Sequence, residues 1–223
     1  MTSDSAPGIT TLPVEKYLNG LLRPRDKVLI FLEKDAEKNG VPIVGPLEGN
    51  FLSLVAMSCK AKNILEVGTA TGYSGIWLGR VAKQNGGKLT TIESDPSRVK
   101  IAAKSFRDAG LSDSIDIITG DAREELPKIA KSRAGRFEVV FLDVGDKGLY
   151  VDLLDDCVKA LHVGGFLLAD NTLWRGLVAV SAADRDATTI REFNKRIYAD
   201  RRLFPSIIPL RDGVAVALKI SEK

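Results

Sequence analysis

The stretch that decides the fold of this 223-residue chain is Ile64-Leu65-Glu66-Val67-Gly68-Thr69-Ala70-Thr71-Gly72-Tyr73-Ser74. Its first four residues form a short, mostly apolar run, which predicts a buried parallel strand. Gly68 then allows the backbone to turn sharply, and Gly72 allows it to pass close to a ligand. Apolar residues at nearly helical spacing follow as far as Val81. The stretch therefore predicts a strand, a glycine loop and a helix, the first half of a nucleotide-binding unit.

The spacing of the glycines indicates which ligand this loop binds. The dinucleotide fingerprint G-x-G-x-x-G does not fit, because Ala70 and Tyr73 stand where its second and third glycines belong. The observed pattern, E-x-G-x-x-x-G, favours a ligand without a diphosphate. S-adenosylmethionine (SAM) is such a ligand, and a carboxylate such as that of Glu66 would favour its ammonium group.

Acidic residues follow the next two predicted strands. Residues 88–92 lead to Glu93, 25 residues after Gly68, where an acid commonly binds ribose hydroxyls. Residues 115–118 lead to Asp121, whose carboxylate could accept a hydrogen bond from an adenine amino group. Each acid alone is also typical of a helix cap. Their order after the glycine loop favours the cofactor-binding interpretation.

Two later predicted strands end in side chains that carry oxygen. Residues 137–142 lead to Asp143, and residues 166–169 lead to Asp170-Asn171. Because ligands of an open parallel sheet bind beyond the carboxyl ends of its strands, these side chains should meet the cofactor. Two carboxylates and an amide, without a nearby Cys or His, favour Mg²⁺, Mn²⁺ or Ca²⁺ over zinc or copper. The alternative is that the first acid only contacts the cofactor and the second pair only caps a turn.

Helices are predicted around these strands. Amphipathic patterns predict helices at residues 25–39 and 47–60, before the glycine loop. Asp186 is predicted to cap a later helix. His162, the only histidine, is predicted at a helix end, before Gly164-Gly165 turns the chain into the fifth strand.

The chain ends in a predicted hairpin. Two strands, residues 205–210 and 214–220, are joined by Arg211-Asp212-Gly213. So short a connection requires antiparallel pairing. The expected fold is therefore α/β, with a mostly parallel seven-stranded sheet and a C-terminal antiparallel strand.

Length and composition predict one domain, residues 13–223, with N-terminal helices behind a flexible tail at residues 1–12. No apolar run approaches membrane-spanning length, and the N-terminus lacks the basic-then-apolar pattern of a signal peptide. Cys59 and Cys157 are expected to be buried thiols rather than a disulfide. Free thiols fit a reducing cytoplasm, which is the expected location.

From about Tyr17 onward the chain resembles the cation-dependent SAM O-methyltransferases, the family of catechol and caffeoyl-CoA O-methyltransferases. The matching segments are residues 46–52, residues 66–74, residues 170–174 and Asp212-Gly213. The resemblance implies a Rossmann-like fold, a homodimer, and methyl transfer to a hydroxyl oxygen with Mg²⁺ as the expected cation. It implies the metal ligands Asp143, Asp170 and Asn171. It implies the cofactor-binding residues Glu48, Glu66, Gly68, Gly72, Tyr73, Ser74, Glu93, Asp121, Ala122 and Asp143.

One departure from the family pattern lies beside the first metal ligand. The family usually places a lysine three residues, and a tyrosine six residues, after this aspartate. Here Lys147 and Tyr150 follow Asp143 by four and seven residues, which indicates a one-residue insertion. We expect Lys147, together with Asp143, to be catalytic, with the lysine as the base near the acceptor hydroxyl; the alternative is a solvated loop lysine. Asp146 is then an extra metal ligand or a partner of Lys147.

The acceptor is open between two classes. A small aromatic molecule with adjacent oxygens fits the resemblance and the modest formal charge of +3. Trp174 would form an apolar wall for it, unless this residue only packs in the core, and Arg175 would contact it. Basic residues between Arg175 and Arg211 indicate a phosphate-binding surface instead, and some bacterial relatives methylate a hydroxylated uridine at the tRNA wobble position. A third possibility is a SAM-binding module without turnover.

Overall fold

The computed structural model describes residues 11–180 and 183–223. The predicted tail at residues 1–12 lies outside the described residues except at its end, where Leu12 begins the first helix. The helices are α1 (Leu12–Leu21), α2 (Lys27–Asn39), α3 (Gly45–Ser58), α4 (Tyr73–Gln84), α5 (Pro96–Asp108), α6 (Ala122–Ser132), α7 (Gly148–Ala160), α8 (Leu177–Val180) and α9 (Arg185–Ala199). The strands are β1 (Asn63–Val67), β2 (Lys88–Glu93), β3 (Ile115–Thr119), β4 (Phe137–Leu142), β5 (Leu161–Ala169), β6 (Leu203–Ile208) and β7 (Val214–Lys219). A short 3₁₀ helix, Trp174–Gly176, precedes α8.

The strands form one seven-stranded sheet in the order β3-β2-β1-β4-β5-β7-β6. β1 to β5 pair in parallel, and β7 pairs antiparallel with both β5 and β6. The predicted α/β fold with a C-terminal antiparallel hairpin is confirmed. From β1 the sheet grows in one direction through β2 and in the other through β4. The carboxyl ends of β1 and β4 therefore border the crevice where such sheets bind ligands.

β5 begins at Leu161, earlier than the sequence predicts. His162 therefore lies in the strand, and its predicted position at a helix end is wrong. Gly164 has a φ of +94°, and the pairing of β4 with β5 changes register between Phe137 and Val139. The strand thus continues through the glycines as an irregular, bulged segment, which local sequence pattern does not distinguish from a turn.

Helix ends follow the capping chemistry of the sequence, with one correction. The Asp26 carboxylate accepts hydrogen bonds from the backbone N–H groups of Val28 and Leu29 and so caps α2. The cap of α9 is Asp184 rather than Asp186, because its carboxylate accepts the N–H of Ala187 at 2.6 Å. Asp184 reaches the third helical position, which is ordinary capping geometry.

The core lies on both faces of the sheet. One cluster packs α2, α3, α4 and α5 against the strands, and the other packs α6, α7 and α9. Fully burying a side chain such as Leu52 or Phe193 contributes about 1.5–3 kcal/mol. Both cysteines are free thiols, as predicted; Cys157 is buried, whereas Cys59 is only half-buried. Among the described residues, no helix is both long and apolar enough to cross a membrane.

Candidate active site

A cavity of about 1060 Å³ opens at the carboxyl ends of the parallel strands. It extends from the C-terminal half of α2 to the 3₁₀ helix and the β6–β7 connection. Ten of the predicted site residues line it: Gly68, Glu93, Asp121, Ala122, Asp143, Lys147, Asp170, Asn171, Trp174 and Arg175. One cleft thus brings together the residues predicted for the metal and the acceptor with five of those predicted for the cofactor, whereas Glu48, Glu66, Gly72, Tyr73 and Ser74 are buried and do not line it.

The two loop glycines are required by close packing. Gly68 has a φ of +105°, and a β-carbon there would overlap the carbonyl oxygen of Asp143. This glycine lets β1 and β4 end side by side at the cleft. Gly72 has a φ of +89°, and the group nearest to it is the ring of Phe106 in α5. Its small size therefore serves helix packing behind the loop.

Glu66 ends buried beneath the glycine loop. One carboxylate oxygen accepts a hydrogen bond from the Thr91 hydroxyl at 2.6 Å, and Ser74 stabilises the same carboxylate. The other oxygen has no hydrogen-bond partner among the described residues. Burial raises the pKa of Glu66 to about 7. A buried carboxylate with an unused acceptor fits a cationic ligand group such as the ammonium of SAM.

The two acids that follow β2 and β3 have different surroundings. Glu93 is buried, and its carboxylate accepts the backbone N–H groups of Ala70 at 2.8 Å and Asp95 at 3.0 Å. It therefore holds the glycine loop while it faces the cleft. Asp121 is exposed and caps α6 by accepting the N–H of Arg123 at 2.8 Å. Ala122 follows it as a buried residue at the cleft wall.

Glu48 lies buried near two acids that line the cleft, Asp143 and Asp170. Glu48, in the first turn of α3, is fully buried, and neither carboxylate oxygen has a hydrogen-bond partner among the described residues. Burial raises its pKa well above the ordinary value, and the nearby charges of Asp170 and Asp143 raise it further. Burial and the Asp143 charge raise the pKa of Asp170 to about 7. Mutual repulsion among these carboxylates would be relieved by a cation bound beside them.

The donor set agrees with a hard divalent cation. Asp143 and Asp170 offer carboxylate oxygens, and Asn171 offers an amide oxygen. Asn171 has a left-handed φ of +57° and follows Asp170 at the end of β5. In the described part of the chain, no group of three or more His, Cys, Asp or Glu side chains is arranged to hold a metal ion. The candidate metal site is therefore two carboxylates plus one amide.

Lys147 lies inside the cleft despite its shifted position in the sequence. Its side chain is only 4% exposed. The ammonium donates to Val144 O at 2.9 Å, Tyr150 OH at 3.1 Å and Asn171 Oδ1 at 2.8 Å. Burial lowers its pKa, and the acids opposite raise it in part. The alternative of a solvated loop lysine is wrong.

The extra residue of the loop is accommodated at Asp146. It is exposed, and its carboxylate pairs with Arg123 at 3.1 Å and accepts the N–H of Gly148 at 2.9 Å. The hypothesis that Asp146 is an extra metal ligand or a partner of Lys147 is therefore wrong. The insertion bulges toward solvent at Gly145 and Asp146, so Lys147 still turns inward.

The acceptor side is built by the 3₁₀ helix and the β6–β7 connection. Trp174 and Arg175 both have left-handed backbone, with φ of +43° and +56°. The Asp212 carboxylate accepts the N–H of Arg175 and fixes this turn. The Trp174 ring is half-buried at the cleft, and its centroid lies 5.4 Å from the Lys147 ammonium. Trp174 is thus not a simple core residue.

Arg211 is a site residue that the sequence predicts only as part of the hairpin connection and of a basic segment. Its guanidinium donates to the carbonyl oxygen of Val44, at the start of α3, and it lines the cleft. Its positive charge holds the pKa values of Glu48, Asp143 and Asp170 lower than burial alone would set them. A β-carbon at Gly45 would overlap this guanidinium, so the glycine admits it. No local sequence signal marks this contact, which joins segments more than 160 residues apart.

The fold and the cleft together define a SAM-dependent methyltransferase of the Rossmann-like type. The model of a family described as O-methyltransferase matches residues 27–220, so the chain belongs to that family. A catechol O-methyltransferase from Niastella koreensis is 34% identical over 213 residues, which cover 92% of this chain and 96% of that protein. These findings confirm the resemblance to the cation-dependent O-methyltransferases.

Solved structures agree with this assignment. The O-methyltransferase TomG from Streptomyces achromogenes, involved in tomaymycin synthesis and solved in complex with SAM, is 26% identical with a TM-score of 0.84. The match covers 94% of this chain and 96% of TomG. An O-methyltransferase from Bacillus cereus, in complex with S-adenosylhomocysteine (SAH), is 29% identical with a TM-score of 0.83, over 93% of this chain and 97% of that one.

Proposed function

We propose that this enzyme transfers the methyl group of SAM to a hydroxyl oxygen of a small aromatic acceptor with adjacent oxygens, and that it requires a divalent cation. The observation that carries the proposal is the meeting of Asp143, Asp170, Asn171 and Lys147 in the cleft that the cofactor loop borders. The name of the Niastella koreensis relative, a catechol O-methyltransferase, supports this class of acceptor.

Two bound groups would supply the chemistry that the side chains lack. A divalent cation supplies Lewis acidity, which lowers the pKa of an acceptor hydroxyl, and SAM supplies a methyl group on a positively charged sulfur. Asp143, Asp170 and Asn171 would hold the cation through three oxygens. Mg²⁺ is the expected cation, and Mn²⁺ or Ca²⁺ would suit the same ligands.

The side chains of the cleft have separable roles in this proposal. The Lys147 amine accepts the proton of the acceptor hydroxyl, and burial, which lowers its pKa, favours the neutral form that this role needs. The Trp174 ring provides a flat apolar wall, and Arg175 lies beside it at the rim. Holding acceptor and methyl donor in one orientation supplies much of the rate acceleration.

The proposal is tested by SAM turnover on a panel of catechols and of matched monophenols, with Mg²⁺ and with EDTA. We expect methylation of catechols only, with activity lost in EDTA and restored by added Mg²⁺. Equal turnover of monophenols, or full activity in EDTA, would contradict the metal-chelate proposal while leaving the methyltransferase assignment intact.

A tRNA acceptor is the second candidate, and the basic residues after Arg175 motivate it. In the structure, several of these basic residues contact different parts of the protein. Arg202 pairs with Asp200 and Asp155, Arg196 pairs with Glu192, and Arg211 turns into the cleft. This division favours a small acceptor over a continuous phosphate-binding surface.

The expected homodimer, which the family resemblance implies, also stays a prediction.

Salt dependence separates the two acceptors. Phosphate contacts would make tRNA affinity fall with salt at a log–log slope of roughly −0.7 to −0.9 per contact, whereas a neutral catechol should respond little. We expect catechol KM to change by less than about twofold between low and moderate salt. Methylation of undermodified tRNA, with salt-sensitive binding that is lost on charge reversal of Lys195 and Arg201, would favour tRNA instead.

SAM binding should depend on pH through Glu66. Its pKa of about 7 means that the free protein below neutral pH carries a protonated carboxyl, which must lose its proton to pair with an ammonium group. Affinity should therefore rise by about tenfold per pH unit below this pKa and level off above it. Calorimetry with SAH, which keeps the ammonium, from about pH 6 to 7.5 checks this, with Glu66→Gln as a flat control. A constant wild-type affinity would contradict the role of Glu66.

A further inference from the structure

The side chain of Tyr73 is buried and does not line the cleft, although the sequence predicts it as a cofactor-binding residue. It is 2% exposed, and its hydroxyl donates a hydrogen bond to Glu33 Oε1 at 2.8 Å. Arg25 Nε lies 2.7 Å from the same oxygen. These three side chains form the Arg25–Glu33–Tyr73 cluster, in which one carboxylate oxygen joins a hydroxyl and a guanidinium.

The cluster joins two walls of the cofactor side of the cleft. Tyr73 is the first residue of α4 and directly follows Gly72 of the glycine loop. Glu33 belongs to α2, and it lines the cleft together with Ala36, Glu37 and residues 40–43. The hydrogen bond between them therefore ties this part of α2 to the end of the glycine loop.

A second polar contact joins the same two helices about two helical turns away from the first. Arg80, seven residues after Tyr73, pairs with Asp26, seven residues before Glu33. Seven residues are about two helical turns, so both contacts lie along one seam between antiparallel helices. Buried Leu29, Leu32 and Ala36 hold α2 in place independently of either contact. The Arg80–Asp26 pair thus provides a matched control far from the loop.

We propose that Tyr73 is a positioning residue for SAM, which acts through Glu33 by holding the α2 wall against the glycine loop. The inference rests on the SAM-binding part of the proposed function and is independent of the acceptor. Because the hydroxyl donates its proton to Glu33, it contributes to cofactor binding through α2. Preorganised walls lower the ordering cost of binding, so loss of this bond should weaken the cofactor complex.

The test compares Tyr73→Phe with Arg80→Met by calorimetry with SAH and by steady-state kinetics. Tyr73→Phe keeps the ring and removes one hydrogen bond, so we expect SAH affinity to fall by about five- to tenfold. The KM for SAM should rise in parallel, with kcat at saturating SAM within about twofold of wild type. Arg80→Met should bind SAH like wild type. Equal losses in both variants, or a lower melting temperature for Tyr73→Phe with unchanged SAH affinity, would overturn the proposal.

A double-mutant cycle and hydrogen exchange test the route through Glu33. In Glu33→Ala, the added Tyr73→Phe change should cost no further affinity, because the hydroxyl has already lost its partner. Additive losses would contradict the proposal. Amide exchange in residues 27–39 should be faster in ligand-free Tyr73→Phe than in wild type and unchanged in Arg80→Met. Failure of wild type itself to bind SAH would overturn the cofactor assignment, whereas wild-type binding that Tyr73→Phe leaves intact would overturn only the role of Tyr73.

Discussion

Replacing Asp170 with Asn is expected to lower methyl transfer by about 10³-fold or more, while the protein stays folded. The change removes one of the two charged oxygens proposed to hold the cation and keeps the size of the side chain. Asp170 lies beside Asp143 and Glu48 in a buried space, where repulsion and burial raise its pKa to about 7. Turnover with titrated Mg²⁺, and cation affinity by calorimetry, measure the effect.

Asp170→Asn should also change the stability of the fold, and the raised pKa of Asp170 determines whether the stability rises or falls. A carboxyl whose folded-state pKa lies above its unfolded value stabilises the fold at low pH, and this contribution is lost as pH rises through about 7. In EDTA at pH 8, Asp170→Asn should therefore melt at the wild-type temperature or higher. Asp146→Asn is the control: it is exposed and paired with Arg123, so its turnover should stay within about twofold of wild type. Equal activity of both variants would exclude a cation at Asp170.

Lys147→Met is expected to lower kcat by about 10²–10⁴-fold, with SAH affinity nearly unchanged. Methionine keeps most of the buried stem and removes the amine that contacts Tyr150 and Asn171. Burial lowers the pKa of Lys147, so the neutral amine forms at a lower pH than for a free lysine. A base must be unprotonated, and wild-type kcat should therefore rise with pH and level off above this lowered pKa. Single-turnover rates across pH check the prediction.

Lys159→Met provides a control on α7, the helix that Lys147 precedes, since Lys159 is exposed and pairs with Asp155. It should leave kcat and its pH profile unchanged. If Lys147→Met shows the same rising pH profile as wild type, with kcat near wild type, the proton passes to solvent and the lysine only packs in the cleft.

Residues near strand ends could be predicted because the signals there are local. Each signal lies within about ten residues of sequence: a short apolar run, glycines that tolerate positive φ, and an acid after the strand. Parallel strands then bring their carboxyl ends to one edge of the sheet. Glu93, Asp143 and Asp170 were placed at the cleft by this reasoning alone. The start of β5 was missed because Gly164-Gly165 has the same local chemistry in a turn and in a bulge.

Side-chain directions in loops depended on contacts with distant segments. Tyr73 follows the glycine loop in sequence, yet its hydroxyl donates a hydrogen bond to Glu33, forty residues earlier. Arg211 was counted with surface bases, yet its guanidinium reaches Val44 across the cleft. Such contacts have no periodicity for a sequence pattern to reveal.

The sheet, the glycine loop, the antiparallel hairpin and the set of oxygen-bearing residues follow from the amino-acid sequence, because strand period, turn chemistry and capping act over a few neighbouring residues. The inward direction of Lys147 depends on tertiary contacts. Its loop carries one extra residue, and whether such a residue rotates the lysine outward or bulges into solvent depends on distant partners. The amide oxygen of Asn171 attracts the ammonium inward, and Arg123 pairs with Asp146 at the exposed rim of the cleft.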